Sequence, residues 1–474
     1  MSAAVAPRGS GKWAVLAIAA AGNFLAGSDF SIVVIAFPEL TRTFASSTST
    51  VVWVSLAFQL TSLGLVLPMG RLGDTFGKKK IYAIGLLIYA FGLLAGAVSP
   101  GVAALIGARA IQGVGSSMTA ALSVALVVMA FPPSERGKAI GTLAAVAGVG
   151  LMTGPALGGL ILDALGWRAI FYLRVPLAVL GFFLALTYLS NDTGSGDRGR
   201  RLDLGGAIAL IVATSALVIG VNQGPERGWG SPEIVGLLGA SAVALSVFLL
   251  VESRVAMPMV DLKLFRNRTF AVGSALLFLF TGGSVGVHFL MPFYLVGGVG
   301  LSASKAGLVL LTTPAIMTFL SPLSGQLADR TGHRVLTSVG LAVNASGLFL
   351  LSMLTIDAAI ITVVAFLAIA GVGSSLFSIP NQYSMLSTAS DERMGTVSAL
   401  IPTLRSVGAV TGIAAASAIF ASVVAGAGQT TVIAAGNVAQ QGAIVDGVTV
   451  AFSVMAGVGL ATTLLSLMRG GARA

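Results

Sequence analysis

Fourteen apolar runs, each long enough to cross a bilayer, take up most of this chain of 474 residues and leave little for any other architecture. They lie near 13–38, 51–70, 81–98, 101–128, 137–162, 167–190, 204–223, 232–252, 270–296, 303–326, 335–354, 358–386, 395–424 and 446–467. In lipid every backbone N–H and C=O must find its partner inside the chain, so runs of about 20 apolar residues fold as helices. A soluble domain of this length cannot present a surface that is 56% hydrophobic and 9% charged. The reading is an all-α polytopic membrane protein. The first run is too long for a signal peptide and has no small-residue cleavage site behind it, so it remains as a helix. The 61 glycines suit close helix packing in lipid. With no cysteine, disulfide and thiol chemistry are excluded.

The basic residues test the count. With the N-terminus in the cytoplasm, 20 of the 27 Lys and Arg fall in cytoplasmic segments: Arg8, Lys12, Arg71, Lys78, Lys79, Lys80, Arg136, Lys138, Arg198, Arg200, Arg201, Arg254, Lys263, Arg266, Arg268, Arg330, Arg334, Arg393, Arg469 and Arg473. Four lie in outer loops (Arg42, Arg168, Arg227, Lys305) and three inside helices. A wrong helix number would scramble this asymmetry, so the spacing predicts both termini in the cytoplasm. The net charge of +10 therefore reads as topology and not as a nucleic-acid surface. NDTGSGDRGRR (191–201) reads as a flexible cytoplasmic loop, residues 253–269 as an amphipathic segment on the membrane surface, and 425–445 as a mobile polar outer loop.

The chain is internally duplicated. GRLGDTFGKKK (70–80) returns as GQLADRTGHR (325–334), with Gly70, Asp74 and Gly77 matching Gly325, Asp329 and Gly332 at an offset of 255. Lys78 follows the first copy's last glycine. GVGSS at 113–117 recurs at 371–375, GLMTG at 150–154 meets GAVTG at 408–412, and Glu135-Arg136 meets Glu392-Arg393. The first six helices thus correspond to the last six, with two helices inserted between. The expected organisation is 1–190 as a six-helix bundle, 191–269 as linkers around the inserted pair, and 270–474 as the second bundle. In each copy of the charged loop, glycine permits a tight turn and the Asp meets a helix N-terminus or a cation.

These motifs resemble the major facilitator superfamily, in its fourteen-helix drug:proton antiporter branch, over essentially the whole chain. Residues 70–80 resemble the signature loop between helices 2 and 3, departing at Thr75 where the family carries a basic residue. ARAIQGVGSS (108–117) is similar to the helix 4 motif, GVGLMTGPALGG (148–159) to the antiporter motif of helix 5, and GSDFSIVVIAFPEL (27–40) to the helix 1 motif. The resemblance implies two pseudo-symmetric bundles (6+2+6) that rock about a midplane site. It also implies proton drive with no cofactor, and a chain working as a monomer in the cell membrane.

Charges inside the membrane are costly, so they mark cavities or partners. Asp29 reads as the only acid well inside a helix, and Arg109, Arg174 and Arg405 as the only bases. Asp29 stands nine residues before Pro38, or about 13 Å along its helix, and Arg109 eight residues after Gly101, or about 12 Å. The two are level, and in the family's fold both helices line the central cavity. Desolvation favours the neutral form of an acid and a nearby guanidinium the charged form, so a movement that separates them would swing proton affinity. Asp29 is read as the proton carrier and Arg109 as its modulator; the plainer alternative is a static packing pair. Arg174, where the family has a neutral polar residue, either snorkels outwards or biases the site towards anions. Arg405 resembles an arginine of the branch's helix 13.

The remaining cavity candidates are Asn23, Gln59, Gln112, Asn381 and Gln382 as polar groups, Phe30 and Phe289 as aromatic walls, and His288, which either carries a proton or packs. Gly150, Gly154, Gly158 and Gly159 form a small-residue face with Pro155 as a kink, expected to press on the opposite half and seal or hinge the pathway. No nucleotide-binding loop, metal-ligand cluster or nucleophile–base pair is present, which argues against direct ATP drive, a metal site and an enzyme. The expected function is proton-coupled export of an amphipathic drug or antibiotic. The alternatives are export of a lipid or endogenous metabolite, or a non-transporting membrane sensor.

Overall fold

The computed structural model describes residues 11–190, 204–255, 262–388, 394–429 and 438–468. The 191–201 loop, the middle of 253–269, Glu392-Arg393, part of the outer loop, and Arg8, Arg198, Arg200, Arg201, Arg469 and Arg473 lie outside them, as do the side chains of Phe30 and Asp329. Among the described residues, fourteen helices are long and apolar enough to cross a membrane. In the first half they are α1 (Gly11–Thr43), α2 (Thr48–Val66), α3 (Lys78–Ala97), α4 (Val102–Ala130), α5 (Ser134–Leu165), α6 (Trp167–Tyr188) and α7 (Ile208–Arg227). Then follow α8 (Pro232–Arg254), α9 (Arg268–Gly298), α10 (Ala303–Ala328), α11 (His333–Leu351), α12 (Ile360–Leu386), α13 (Leu400–Gly426) and α14 (Ala439–Leu467). No strand occurs among the described residues.

Several boundaries differ from the sequence reading, each for a local reason. The expected charged loop at 70–80 is not a loop: helix continues to Phe76 and resumes at Lys78. The whole turn is made by Gly77 at φ +98°, and its counterpart Gly332 at φ +88° does the same, a backbone region that costs other residues steric strain. Asp74 meets a cation, bonding Lys78 at 2.8 Å across the Gly77 turn. α14 begins at Ala439 and not near 446, with Ile444 and Val445 buried. In the second linker, Leu262–Arg266 form a 3-10 turn whose Leu264 is buried with Phe270 and Leu276, so that part is docked on the core.

The chain separates into two compact units, residues 1–36 with 53–208, and residues 37–52 with 209–474. α7 and α8 fall in the second. In the first unit, α3 and α4 meet along a glycine seam: Gly115 lies against the backbone of Gly85 and Tyr89, and Gly92 against Gln112. The second unit repeats the seam in α11 and α12, with Gly373 against Gly340 and Asn344, and Gly347 against Ala370. Tyr89 and Asn344, 255 apart, hold equivalent places, as do Gln112 and Ala370, 258 apart. The duplication thus extends to the contacts, while the chemistry at those positions differs.

The antiporter-like glycine face points elsewhere than expected. Gly150 packs on Phe24 and Ser28, Gly154 on Ser31 and Ile32, and Gly158 on Ile32 and Ile35. These all belong to α1, within the same unit, so the face joins α5 to α1. Gly408 and Gly412 repeat this against Phe278 and Gly282 in α13 and α9. Both faces bring backbones close where lipid supplies no driving force. The helix runs unbroken through Pro155.

Candidate functional site

Four helices of the first unit, α1, α3, α4 and α6, meet at Asp29, and each delivers its side chain for a readable reason. α1 is helical to Ile32, then tightens into a 3-10 turn over Val34–Ala36 ahead of Pro38, whose ring excludes the carbonyl one turn back. Asp29 sits in the last turn before this change. The α3–α4 glycine seam brings Tyr89 and Gln112 up to it. α6 breaks at Leu173-Arg174 because Pro176 follows, and its two halves are Trp167–Tyr172 and Val175–Tyr188. The break frees the Ile170 carbonyl, which accepts from Arg174 Nε at 2.8 Å. That bond turns the Arg174 guanidinium inwards.

The result is a saturated carboxylate. Asp29 Oδ1 accepts from Arg109 Nη1 at 2.8 Å and from Arg174 Nη1 at 2.5 Å. Oδ2 accepts from Gln112 Nε2 at 2.7 Å and from the Tyr89 hydroxyl. Arg109 also donates through Nε to the Val54 carbonyl at 2.9 Å and through Nη1 to Gln112 Oε1 at 2.5 Å, and it lies 4.3 Å over the Phe58 ring. Asp29 and Gln112 are 0% exposed, Arg109 1% and Arg174 7%. All four neighbours donate, the pattern an ionised acid requires. Tyr89 has a second acceptor in the Leu25 carbonyl at 3.4 Å, to which its hydrogen can turn if Oδ2 takes a proton.

The structure therefore joins Asp29, Arg109 and Gln112, and it adds two groups. Arg174 does not snorkel: it is the second cation on Asp29. The signal for this was Pro176, which breaks α6 beside it. Tyr89 was missed altogether; its equivalence to a glycine-seam position was legible only once the repeat's contacts were known. Asp29 is also not the only buried acid, since Glu252 near the end of α8 is 3% exposed.

The other candidates lie apart from this cluster. Asn23 and Gln59 are half-buried on α1 and α2. In the second unit, His288 is half-buried with Nδ1 2.9 Å from the Ser284 carbonyl one turn back. Phe289 is buried in an aromatic group with Phe37 and Phe293, at centroid distances of 5.6 Å to each. Asn381 is fully buried and donates to the Gly273 carbonyl at 3.1 Å, a bond that ties α12 to α9. Gln382 beside it is half-buried, and Arg405 is exposed on α13. No group of three or more His, Asp or Glu that could hold a metal occurs among the described residues.

Comparison with known proteins agrees with the arrangement of helices. The Major Facilitator Superfamily profile matches residues 19–413, and the chain belongs to that family. It is a multi-pass membrane transporter and not an enzyme. It is 33% identical over 402 residues to the multidrug resistance protein Stp of Mycobacterium tuberculosis, covering 85% of this chain and 74% of that one. It is 31% identical to the riboflavin transporter RibZ of Clostridioides difficile (86% and 88% covered) and 30% to the puromycin resistance protein pur8 of Streptomyces alboniger (96% and 90%). Among solved structures, an inward-facing bacterial homolog of the human lysosomal transporter Spinster aligns with TM-score 0.70 at 14% identity, over 98% of this chain and 96% of that one. At that identity the likeness speaks for the fold alone.

Proposed function

We propose that this transporter exports amphipathic compounds of the drug or antibiotic class in exchange for protons, with Asp29 as the proton carrier. The observation that carries the reading is the setting of Asp29: a buried acid within one hydrogen-bond length of two arginines on different helices. Protonation removes the charge that holds the two guanidinium groups and so lets one withdraw, and deprotonation draws both back. Helix movement and proton occupancy are then one event, which is what coupling demands. Arg109, anchored to the α2 carbonyl of Val54, is the fixed modulator. Tyr89 supplies a donor whose hydrogen has an alternative acceptor in Leu25. Resistance proteins among the relatives support a drug-like substrate, and the Lys and Arg asymmetry supports cytoplasmic termini.

A second reading, export of a metabolite, is favoured by the riboflavin transporter among the relatives. Counterflow in proteoliposomes separates the two. The full-length protein should exchange labelled puromycin-like or other amphipathic antibiotics, and saturation by riboflavin alone would transfer the assignment to a metabolite. Absence of any counterflow, with folded protein in the vesicles, would remove the transport assignment for both classes.

A further inference from the structure

We infer that Arg174 makes the Asp29 cluster a subsite for a singly charged anionic group, such as a carboxylate, on the transported amphiphile. The inference rests on the export reading above and names its substrate class. The charge count carries it. One carboxylate faces two guanidinium groups, so the cluster holds +1 − 1 + 1 = +1 within an apolar helix bundle. A net charge buried in this way is expensive unless a counter-charge arrives.

The hydrogen bonds carry it further. Arg109 makes three bonds, from Nε to Val54 and from Nη1 to Asp29 and Gln112. Arg174 makes two. Its Nε is used by the Ile170 carbonyl and its Nη1 by Asp29, while Nη2 is buried with no hydrogen-bond partner. The unpartnered Nη2 donates two hydrogens on the side of a guanidinium that grips carboxylates. Asp29 cannot fill that side, because its four acceptor directions are taken by Arg109, Arg174, Gln112 and Tyr89. A monoanion bound there brings the cluster to neutrality and satisfies the orphan group together. A cation placed there meets a like charge. The phenyl ring of Phe171, 5.7 Å from the Arg174 guanidinium, gives the apolar body of such a ligand a neighbour.

The test uses two probes of one shape and opposite charge, 2-naphthoate and 2-naphthyltrimethylammonium, titrated against the purified full-length protein. Wild type should bind naphthoate in preference to the cation. Arg174→Asn should lose about ten- to a hundredfold in naphthoate affinity, the range for one charge-assisted interaction, and gain affinity for the cation. Arg174→Lys keeps the charge without the guanidinium and should lose less. A wild type that prefers the cation, or naphthoate binding unchanged in both variants, would overturn the inference; the wild-type comparison stands even if Arg174→Asn fails to fold. A chloride titration at constant ionic strength separates the sources of the anion. Chloride that displaces naphthoate completely gives the subsite to a free ion and overturns the assignment to substrate. Counterflow in parallel keeps the two levels apart. Arg174-independent exchange of cationic compounds would sink the anion subsite and leave the export reading standing. Arg174-dependent naphthoate binding with no exchange of any compound would do the reverse.

Discussion

Replacing Gly150 by alanine should damage the α1–α5 pair, whereas the same change at Gly148, on the same helix, should not. A Cβ at Gly150 would lie 2.5 Å from the Phe24 carbonyl oxygen and 3.0 Å from the Ser28 nitrogen, both backbone atoms that cannot rotate away. Restoring ordinary van der Waals separation requires α1 to retreat by about 1 Å. Overpacking of this kind costs about 1–3 kcal/mol. A Cβ at Gly148 meets nothing within 4 Å. The Gly148→Ala variant should therefore be neutral or slightly stabilising, since alanine is the better helix former by about 1 kcal/mol. The retreat also moves Asp29, which sits one residue beyond Ser28, by an amount comparable to the tolerance of its 2.5–2.8 Å bonds. Thermal unfolding of the purified protein, followed by tryptophan fluorescence, should show Gly150→Ala lower than wild type by about 1–3 °C and Gly148→Ala unchanged. Equal shifts for the two variants would refute the assignment of this glycine face to α1.

Three further outcomes follow from the same contacts. Arg109→Gln alone should cost less than about 3 kcal/mol, because Arg174 still neutralises Asp29. Arg109→Gln with Arg174→Asn leaves a buried unpaired carboxylate and should cost about 3–5 kcal/mol, more than the two single losses together, as a double-mutant cycle on thermal or denaturant unfolding would show. Tyr89→Phe removes one donor from Asp29 and should destabilise by about 1.5–3 kcal/mol, the range for a bond to a charged group, measured in the same way. Lys12→Ala breaks the 2.7 Å ion pair with Glu135 at the N-terminal ends of α1 and α5, but both side chains are partly exposed. It should cost no more than about 1 kcal/mol, and the difference from wild type should shrink as salt is raised.

What the sequence made legible and what it hid divide on physical grounds. Bilayer thickness fixes helix length, so fourteen runs could be counted directly, and charge asymmetry checked the number. Depth along two helices of known rise brought Asp29 level with Arg109, and those two side chains do meet. Arg174 was harder, because its direction depends on a helix break. Pro176 frees the Ile170 carbonyl, the side chain's own Nε fills it, and only then does the guanidinium reach Asp29. The glycine face of α5 was visible as a pattern, yet a small-residue stripe says only that something approaches closely. That the neighbour is α1 required the fold. The charged loop at 70–80 misled because polar composition suggested coil, whereas one glycine at positive φ suffices to turn the chain. The repeat itself showed equivalence without function. The seam of α3 and α4 recurs in α11 and α12, but with Asn344 and Ala370 where the first copy has Tyr89 and Gln112. Leu367 likewise stands where the first copy has Arg109. Among the described residues, the second copy of this helix set holds no buried ion pair.

The central claim is that Asp29 carries the proton, and substrate movement in proteoliposomes under an imposed pH gradient tests it most directly. Wild type should accumulate or release substrate against its own gradient when the pH gradient is applied. Asp29→Asn, a fixed mimic of the protonated acid, should retain counterflow and lose the gradient-driven component. Gradient-driven transport that survives in Asp29→Asn would contradict the account and place the coupling group elsewhere in the chain.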